Sequence, residues 1–357
     1  MYNATIRHSV AVSHSLAAIT FLIVDDTLTV QDQLKIVKEG FRHVIILGAG
    51  ASRASCIDNP EKNQRSLPLM NDLIKVVNLD PELDGLPKRV LKHNFEDIFS
   101  KLHTDQDNAR LVKIETKVFQ YFAKLQLPET PTIYDYLVLS LREKDLIATF
   151  NWDPFLWQAY ERNLTLTSNL PKLAFLHGNV AIGICEDTKE FGPVGTINSK
   201  TDQIFQPTKL LYPIEHKDYA LDPYIKDQWN ILSHFLKKPA RTTIFGYSAP
   251  KTDIEAIALM KKAWGDPEVE KQFTQFEIID IQEEELLYES WKDFIFSHHY
   301  QITKTFFEST IMKSPRRTGE IFEANYLDAR FAEINIPPKF NTMSDMWKWY
   351  EGLLKFE

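Results

Sequence analysis

Cysteine is nearly absent from this chain. Two in 357 residues, Cys56 and Cys185, cannot build a disulfide framework or a four-cysteine zinc site. They read as free thiols of a reducing cytosol. Long apolar runs are missing too. The most apolar early run, Leu16–Val24, is far shorter than the roughly 20 residues a membrane span needs. It lacks a basic start and a small-residue cleavage site, so no signal peptide is expected, and the expected location is cytoplasmic. Positive charge is in deficit: the net charge is −8, which argues against direct, strong nucleic-acid binding. Internal repeats and low-complexity stretches are also missing.

What is present supports a folded enzyme. A hydrophobic content of 44% supplies a core, and the length suits one large domain or two ordinary ones. Residues 1–35 read as a lead-in, where Ala17–Val24 is a strand ending on Asp25 and Asp26. That pair reads as two polar residues closing a strand, with a metal or phosphoryl site as the alternative. Val30–Gly40 is a short helix stopped by glycine. Val44–Leu47 is a continuous apolar run, as in a buried parallel strand. Leu69–Val77 and His93–Leu102 read as helices. In Ala109–Leu125 the residues Leu111, Ile114, Val118, Phe122 and Leu125 keep helical spacing on one face. Pro128 and Pro131 break it, and Thr132–Arg142 begins another.

From Leu146 the pattern alternates. Strands are expected at Leu146–Phe150, Leu173–Leu176, Thr242–Phe245 and Phe276–Ile281. Helices are expected at Pro154–Arg162, Tyr224–Leu236, Thr252–Ala263 and Glu284–Phe296. Such alternation predicts an α/β fold, a Rossmann-like parallel sheet with helices on both faces. Asn179–Asp222 is irregular and reads as a hairpin or loop insertion at the mouth of a site. Residues 301–357 read as a C-terminal extension. Its helix Ser344–Leu354, rich in aromatics, is expected to pack on the body, with partner docking as the alternative. Arg316 and Arg317 read as a solvated loop, the alternative being a phosphate or acidic partner.

Ligands of open parallel sheets sit outside the carboxyl ends of the strands. Three motifs fall there: V-I-I-L-G-A-G-A-S (Val44–Ser52), I-A-T-F-N-W-D (Ile147–Asp153) and L-H-G (Leu176–Gly178). Gly48 and Gly50 fill the first two positions of G-x-G-x-x-G, but Arg53 stands at the third. No acidic strand end follows about 20 residues on, so a hydride-transfer enzyme is disfavoured. Alone, an Asn-x-Asp at a strand end is most often a turn former, and a histidine before glycine is most often structural. The order and spacing of the three carry the functional reading. The other histidines have no ligand spacing, and no metal is expected.

These residues resemble the sirtuin-like, or silent-information-regulator-like, NAD-consuming family. Gly48-Ala49-Gly50-Ala51-Ser52 looks like its first nucleotide motif. Asn151 and Asp153 match its T-x-N-x-D, and His177-Gly178 its H-G. Gly246-Tyr247-Ser248 with Pro250 and Asp253 is similar to a G-Y-S-x-P-x-x-D stretch of the bacterial branch; Leu67-Pro68 and Phe95-Glu96 are softer matches. The resemblance covers residues 36–300, taken as the NAD-binding catalytic domain. Two features depart from the family's deacylases. The insertion after the histidine holds only Cys185, so their zinc ribbon cannot form, and their D-F-R segment is missing. Both losses resemble the bacterial branch that hydrolyses NAD, commonly as an effector of defence against phage.

The resemblance therefore implies an NAD glycohydrolase, with NAD as substrate. A protein deacylase, or a sensor that binds NAD or ADP-ribose without turnover, are the alternatives. Asn151 and His177 are the implied catalytic residues. Gly48, Ala49, Gly50 and Ser52 are assigned to the pyrophosphate turn, Asp153 to loop or ribose, and Gly246 and Ser248 to the second half of the dinucleotide. Asp280, at a strand end, is assigned to the adenosine ribose. Members of that branch act beside a separate ATPase or nucleic-acid-guided protein. A homo-oligomer, such a partner, or both are expected, with no membrane association.

Overall fold

The computed structural model describes residues 27–36, 39–56, 67–213, 219, 222–247, 253–328 and 330–357. The strand expected at Ala17–Val24, the Asp25–Asp26 pair and Ser248 lie outside them.

Strands β1 (His43–Leu47), β2 (Leu146–Thr149) and β3 (Lys172–Phe175) come first in the chain. The short β4 (Ile182–Ile184), β5 (Phe191–Pro193) and β6 (Gln206–Pro207) follow, then β7 (Arg241–Phe245), β8 (Gln275–Ile279) and β9 (Tyr300–Thr303). Six of them form one sheet in the order β3-β2-β1-β7-β8-β9, every pair parallel. The central strands β1, β2, β7 and β8 are buried along their whole length; Val44–Leu47 and Leu146–Ala148 are accordingly unbroken apolar runs, whereas β7 and β8 carry the buried polar residues Arg241, Thr242, Thr243, Gln275 and Glu277.

Counted within this sheet, the order is 3-2-1-4-5-6, that of a Rossmann-like doubly wound fold. The chain winds outward from β1 to β3, crosses back and winds outward again from β7 to β9. Parallel crossovers are right-handed, so the helices of the two halves cover opposite faces of the sheet. Phe155–Asn163 connects β2 to β3, whereas Ile254–Trp264 and Glu284–Trp291 connect β7 to β8 and β8 to β9. The order reverses between β1 and β7, and a crevice opens there at the carboxyl ends.

The irregular insertion is a three-stranded antiparallel sheet in the order β5-β4-β6. It returns beside the histidine motif, where the Leu211 amide donates to the His177 carbonyl at 2.9 Å. Cys185 is buried in it.

Beyond residue 300 the chain is built into the fold. The edge strand β9 straddles the boundary expected there, and no strand was expected over its residues. It is half-buried throughout, so its four residues carry no clear period. In the Met343–Leu354 helix, Met346 and Tyr350 are fully buried, and the Tyr350 hydroxyl bonds Ser140 Oγ at 2.8 Å. The reading of Arg316 and Arg317 as a solvated loop is overturned, since both are buried. A guanidinium has five donors and needs fixed acceptors when buried. Arg316 finds them on the carbonyls of Leu139, Leu141 and Asn169, at 3.0–3.1 Å, and on the Glu357 carboxylate. Arg317 donates to Gln33 Oε1 and the Glu333 carbonyl.

Candidate active site

At the switch point a cleft of about 1190 Å³ opens over the strand ends. It exceeds the roughly 300–1,000 Å³ usual for small-molecule sites, so it has room for an extended ligand. Gly48, Ala49 and Gly50 line it from β1, Asn151 and Asp153 from β2, His177 from β3, Gly246 from β7 and Asp280 from β8. The structure thus brings together eight of the ten residues singled out in the sequence. Ser52 does not line the cleft. It is fully buried behind Asn151, and acts on the cleft through that residue.

The first glycine segment is held to β7. The Gly48 amide donates to the Phe245 carbonyl and the Gly50 amide to the Gly246 carbonyl, both at 3.0 Å. Gly246 has φ +61, a left-handed backbone that favours glycine. A Cβ on it would lie 2.3 Å from the Ala51 nitrogen, and one on Gly48 would lie 2.4 Å from the Gly246 carbonyl oxygen. The two chains approach as closely as they do because neither carries a side chain there.

Asn151 is oriented by its partners. Its Nδ2 donates to the Gly48 carbonyl and to Ser52 Oγ, each at 2.8 Å. A carbonyl oxygen only accepts, so the amide must turn its nitrogen to Gly48. Its Oδ1 has no partner among the described residues and remains an acceptor for the cleft. Behind it, Ser52 Oγ bonds the Tyr134 hydroxyl at 2.7 Å. Tyr134 is fully buried, and burial first, then the Asp153 charge, raises its hydroxyl well above the usual range, so it stays a neutral hydrogen-bonding group. Tyr134 escaped the sequence reading because only tertiary packing connects it to Asn151. The one local signal is the capping box that opens its helix, where the Asp135 carboxylate accepts the Thr132 amide at 2.7 Å.

His177 projects into an aromatic corner. Its ring meets Phe150 edge-on at 4.9 Å between centroids, and its Nε2 lies 3.1 Å from the Tyr219 hydroxyl. Burial, then the charges of Asp253 and Glu255, raises the Tyr219 hydroxyl too, so it also stays neutral. Tyr247 stacks on Phe150 at 4.3 Å and donates to Asp253 Oδ2 at 3.0 Å. The site therefore offers one orienting acceptor and one imidazole beside an aromatic wall.

Asp153 lies at the floor, where burial pushes its carboxyl up to about 6 against the Ser52 hydroxyl and the Phe155 amide. An unfolded aspartate titrates near about 3.9. The folded state therefore keeps the proton between roughly pH 4 and 6, and the stability present below that window is lost as pH rises through it. Roughly two units correspond to about 3 kcal/mol. Asp153→Asn keeps an acceptor for the Phe155 amide without the charge. It is expected to exceed the parent in stability by about 2–3 kcal/mol at pH 7 and to match it at pH 4. Denaturant unfolding at both pH values reads this, and a difference independent of pH contradicts it.

No family model matches the chain, and no curated protein matches it. Among solved structures, a Sir2 homologue mutant in complex with 2′-O-acetyl ADP ribose is similar at 14% identity. That match covers 82% of this chain and 92% of the other, with a TM-score of 0.41. A Sir2–p53 peptide–NAD+ complex is similar at 14% identity over 71% of this chain and 85% of that one, TM-score 0.35. Sir2 bound to acetylated peptide is similar at 13% identity over 70% and 91%, TM-score 0.35. Sir2 structures are thus what this chain is similar to.

Proposed function

We propose that this chain is an NAD glycohydrolase, splitting NAD and water into nicotinamide and ADP-ribose. The observation that carries the reading is the pairing of Asn151 and His177 at the switch point, with Asn151 Oδ1 fixed as an acceptor facing the cleft. Nicotinamide leaves as a neutral molecule, so the reaction needs no strong acid. As the C1′–N bond breaks, its electron pair goes to the pyridinium nitrogen and the ribose acquires oxocarbenium character. Asn151 orients the attacking water, or the ribose hydroxyls, without adding charge. His177 takes the proton released as the new C1′–O bond forms. The aromatic corner of Phe150, Tyr219 and Tyr247 excludes competing solvent.

Deacylation shares the first step but needs an acyl-lysine at the same carbon. The chain's two cysteines cannot supply the four ligands of the deacylases' ribbon, so hydrolysis is preferred. Uncontrolled loss of NAD would kill the host cell. We therefore read the chain as a cytoplasmic effector with a slow basal rate, raised by self-assembly or by a separate ATPase or nucleic-acid-guided partner, in defence against phage. Turnover of NAD with and without an acetylated peptide separates the two chemistries. The expected result is ADP-ribose at equal rates in both. Product that appears only with peptide, as acetyl-ADP-ribose, overturns hydrolysis in favour of deacylation.

A further inference from the structure

Glycine-rich phosphate loops bind their ligand with backbone amides aimed from the turn and the helix that follows. In this chain those amides are mostly spent. The Gly48 amide donates to Phe245 at the end of β7, the Gly50 amide to Gly246 just beyond it, and the Ala51 amide to the Gly48 carbonyl at 3.0 Å. Of the first turn, the Ala49 amide has no acceptor among the described residues. One neutral donor is a poor match for a doubly charged pyrophosphate.

Arg53 stands one helical turn further on. In the Ala49–Cys56 helix, residues 49 and 53 are four apart and share a face, and both line the cleft. Arg53 is exposed to it and has no hydrogen bond or ion pair among the described residues. The other cleft cations are engaged: Lys304 donates to the Gln282 carbonyl, and Lys339 also has a partner. The cleft's carboxylates, Glu96, Asp153, Asp253 and Asp280, would repel an anion that met no cation. Arg53 occupies the third position of the glycine pattern, where glycine would allow close packing but supply no charge.

We infer that Arg53 clamps the pyrophosphate of the dinucleotide, with the Ala49 amide beside it, in place of the glycine amides that β7 has taken. This rests on the cleft being a dinucleotide site. A planar guanidinium reaches two phosphate oxygens at once, which an ammonium does not.

The test is calorimetric titration of the wild type, Arg53→Gln and Arg53→Lys with ADP-ribose and with adenosine, at low and moderate salt. ADP-ribose is expected to bind Arg53→Gln about 10- to 100-fold more weakly than wild type, with Arg53→Lys intermediate. Adenosine, which has no phosphate, is expected to bind all three alike, and the salt dependence of ADP-ribose binding is expected to flatten in Arg53→Gln. ADP-ribose binding that is unchanged in Arg53→Gln overturns the clamp alone, and so does an equal loss for adenosine. A wild type that binds neither ADP-ribose nor NAD overturns the dinucleotide reading and the clamp with it.

Discussion

Asn151→Ala will lower NAD turnover by at least about a hundredfold, and His177→Ala by about 10²–10⁴-fold. The two losses have different origins. In the proposed mechanism, His177→Ala removes the proton acceptor. Asn151→Ala removes the Oδ1 proposed to align the nucleophile, and misalignment alone costs on this scale. The fold should survive, because the Gly48 carbonyl keeps the Ala51 amide as a partner and Ser52 keeps Tyr134. The stability cost of the lost amide bonds is expected to be about 1–3 kcal/mol.

Asn151→Asp makes a sharper comparison. Its carboxylate is nearly isosteric but cannot donate to the Gly48 carbonyl at 2.8 Å. Two acceptors would then face one another in a buried setting. This variant is expected to be as inactive as the alanine and less stable than it. Activity in Asn151→Asp near that of the parent would mean that amide orientation is not what residue 151 supplies.

Gly246→Ala is expected to have the largest effect on structure. A non-glycine residue at φ +61 costs roughly 1–2 kcal/mol in backbone strain. The added Cβ would lie 2.3 Å from the Ala51 nitrogen and 2.7 Å from Gly50 Cα, both backbone, so no side chain can swing aside. The Ala49–Cys56 helix must move, breaking the Gly50 amide bond to the Gly246 carbonyl. A total loss of about 3 kcal/mol or more is expected, with loss of NAD binding. Thermal unfolding and ADP-ribose titration check both, and a variant that unfolds and binds like the parent contradicts the close approach of β1 and β7.

Much of this architecture is legible in the sequence because it rests on local patterns. Val44–Leu47 and Leu146–Ala148 are unbroken apolar runs since both faces of the sheet are covered there, and Leu173–Leu176 is apolar too. Asn108–Phe122 declares itself through one apolar stripe. Strand-end residues Gly48, Asn151 and His177 stand out because polar or glycine residues interrupt those runs where the sheet stops. What the sequence conceals is set by distant partners. Arg316 looks like a loop arginine until the carbonyls of Leu139, Leu141 and Asn169 come to it from residues 147 to 177 positions away. Ser52 looks like a ligand-binding residue until Tyr134 and Asn151 claim its hydroxyl. The glycine turn looks like a ready phosphate cradle until Phe245 and Gly246, at and just past the end of β7, take two of its amides. Arg53, which spoils the glycine pattern when read as a string, is the group the cleft leaves open to an anion.

The most direct measurement is quantitation of nicotinamide and ADP-ribose from NAD incubated with the purified chain, beside Asn151→Ala, with ADP-ribose binding measured on both. The account predicts the two products in equal amounts from the wild type, at a rate proportional to protein, and none above background from Asn151→Ala, which still binds ADP-ribose. Equal product from both proteins would place the chemistry elsewhere. Saturable NAD binding by the wild type without any nicotinamide would make the cleft a binding site and contradict hydrolysis.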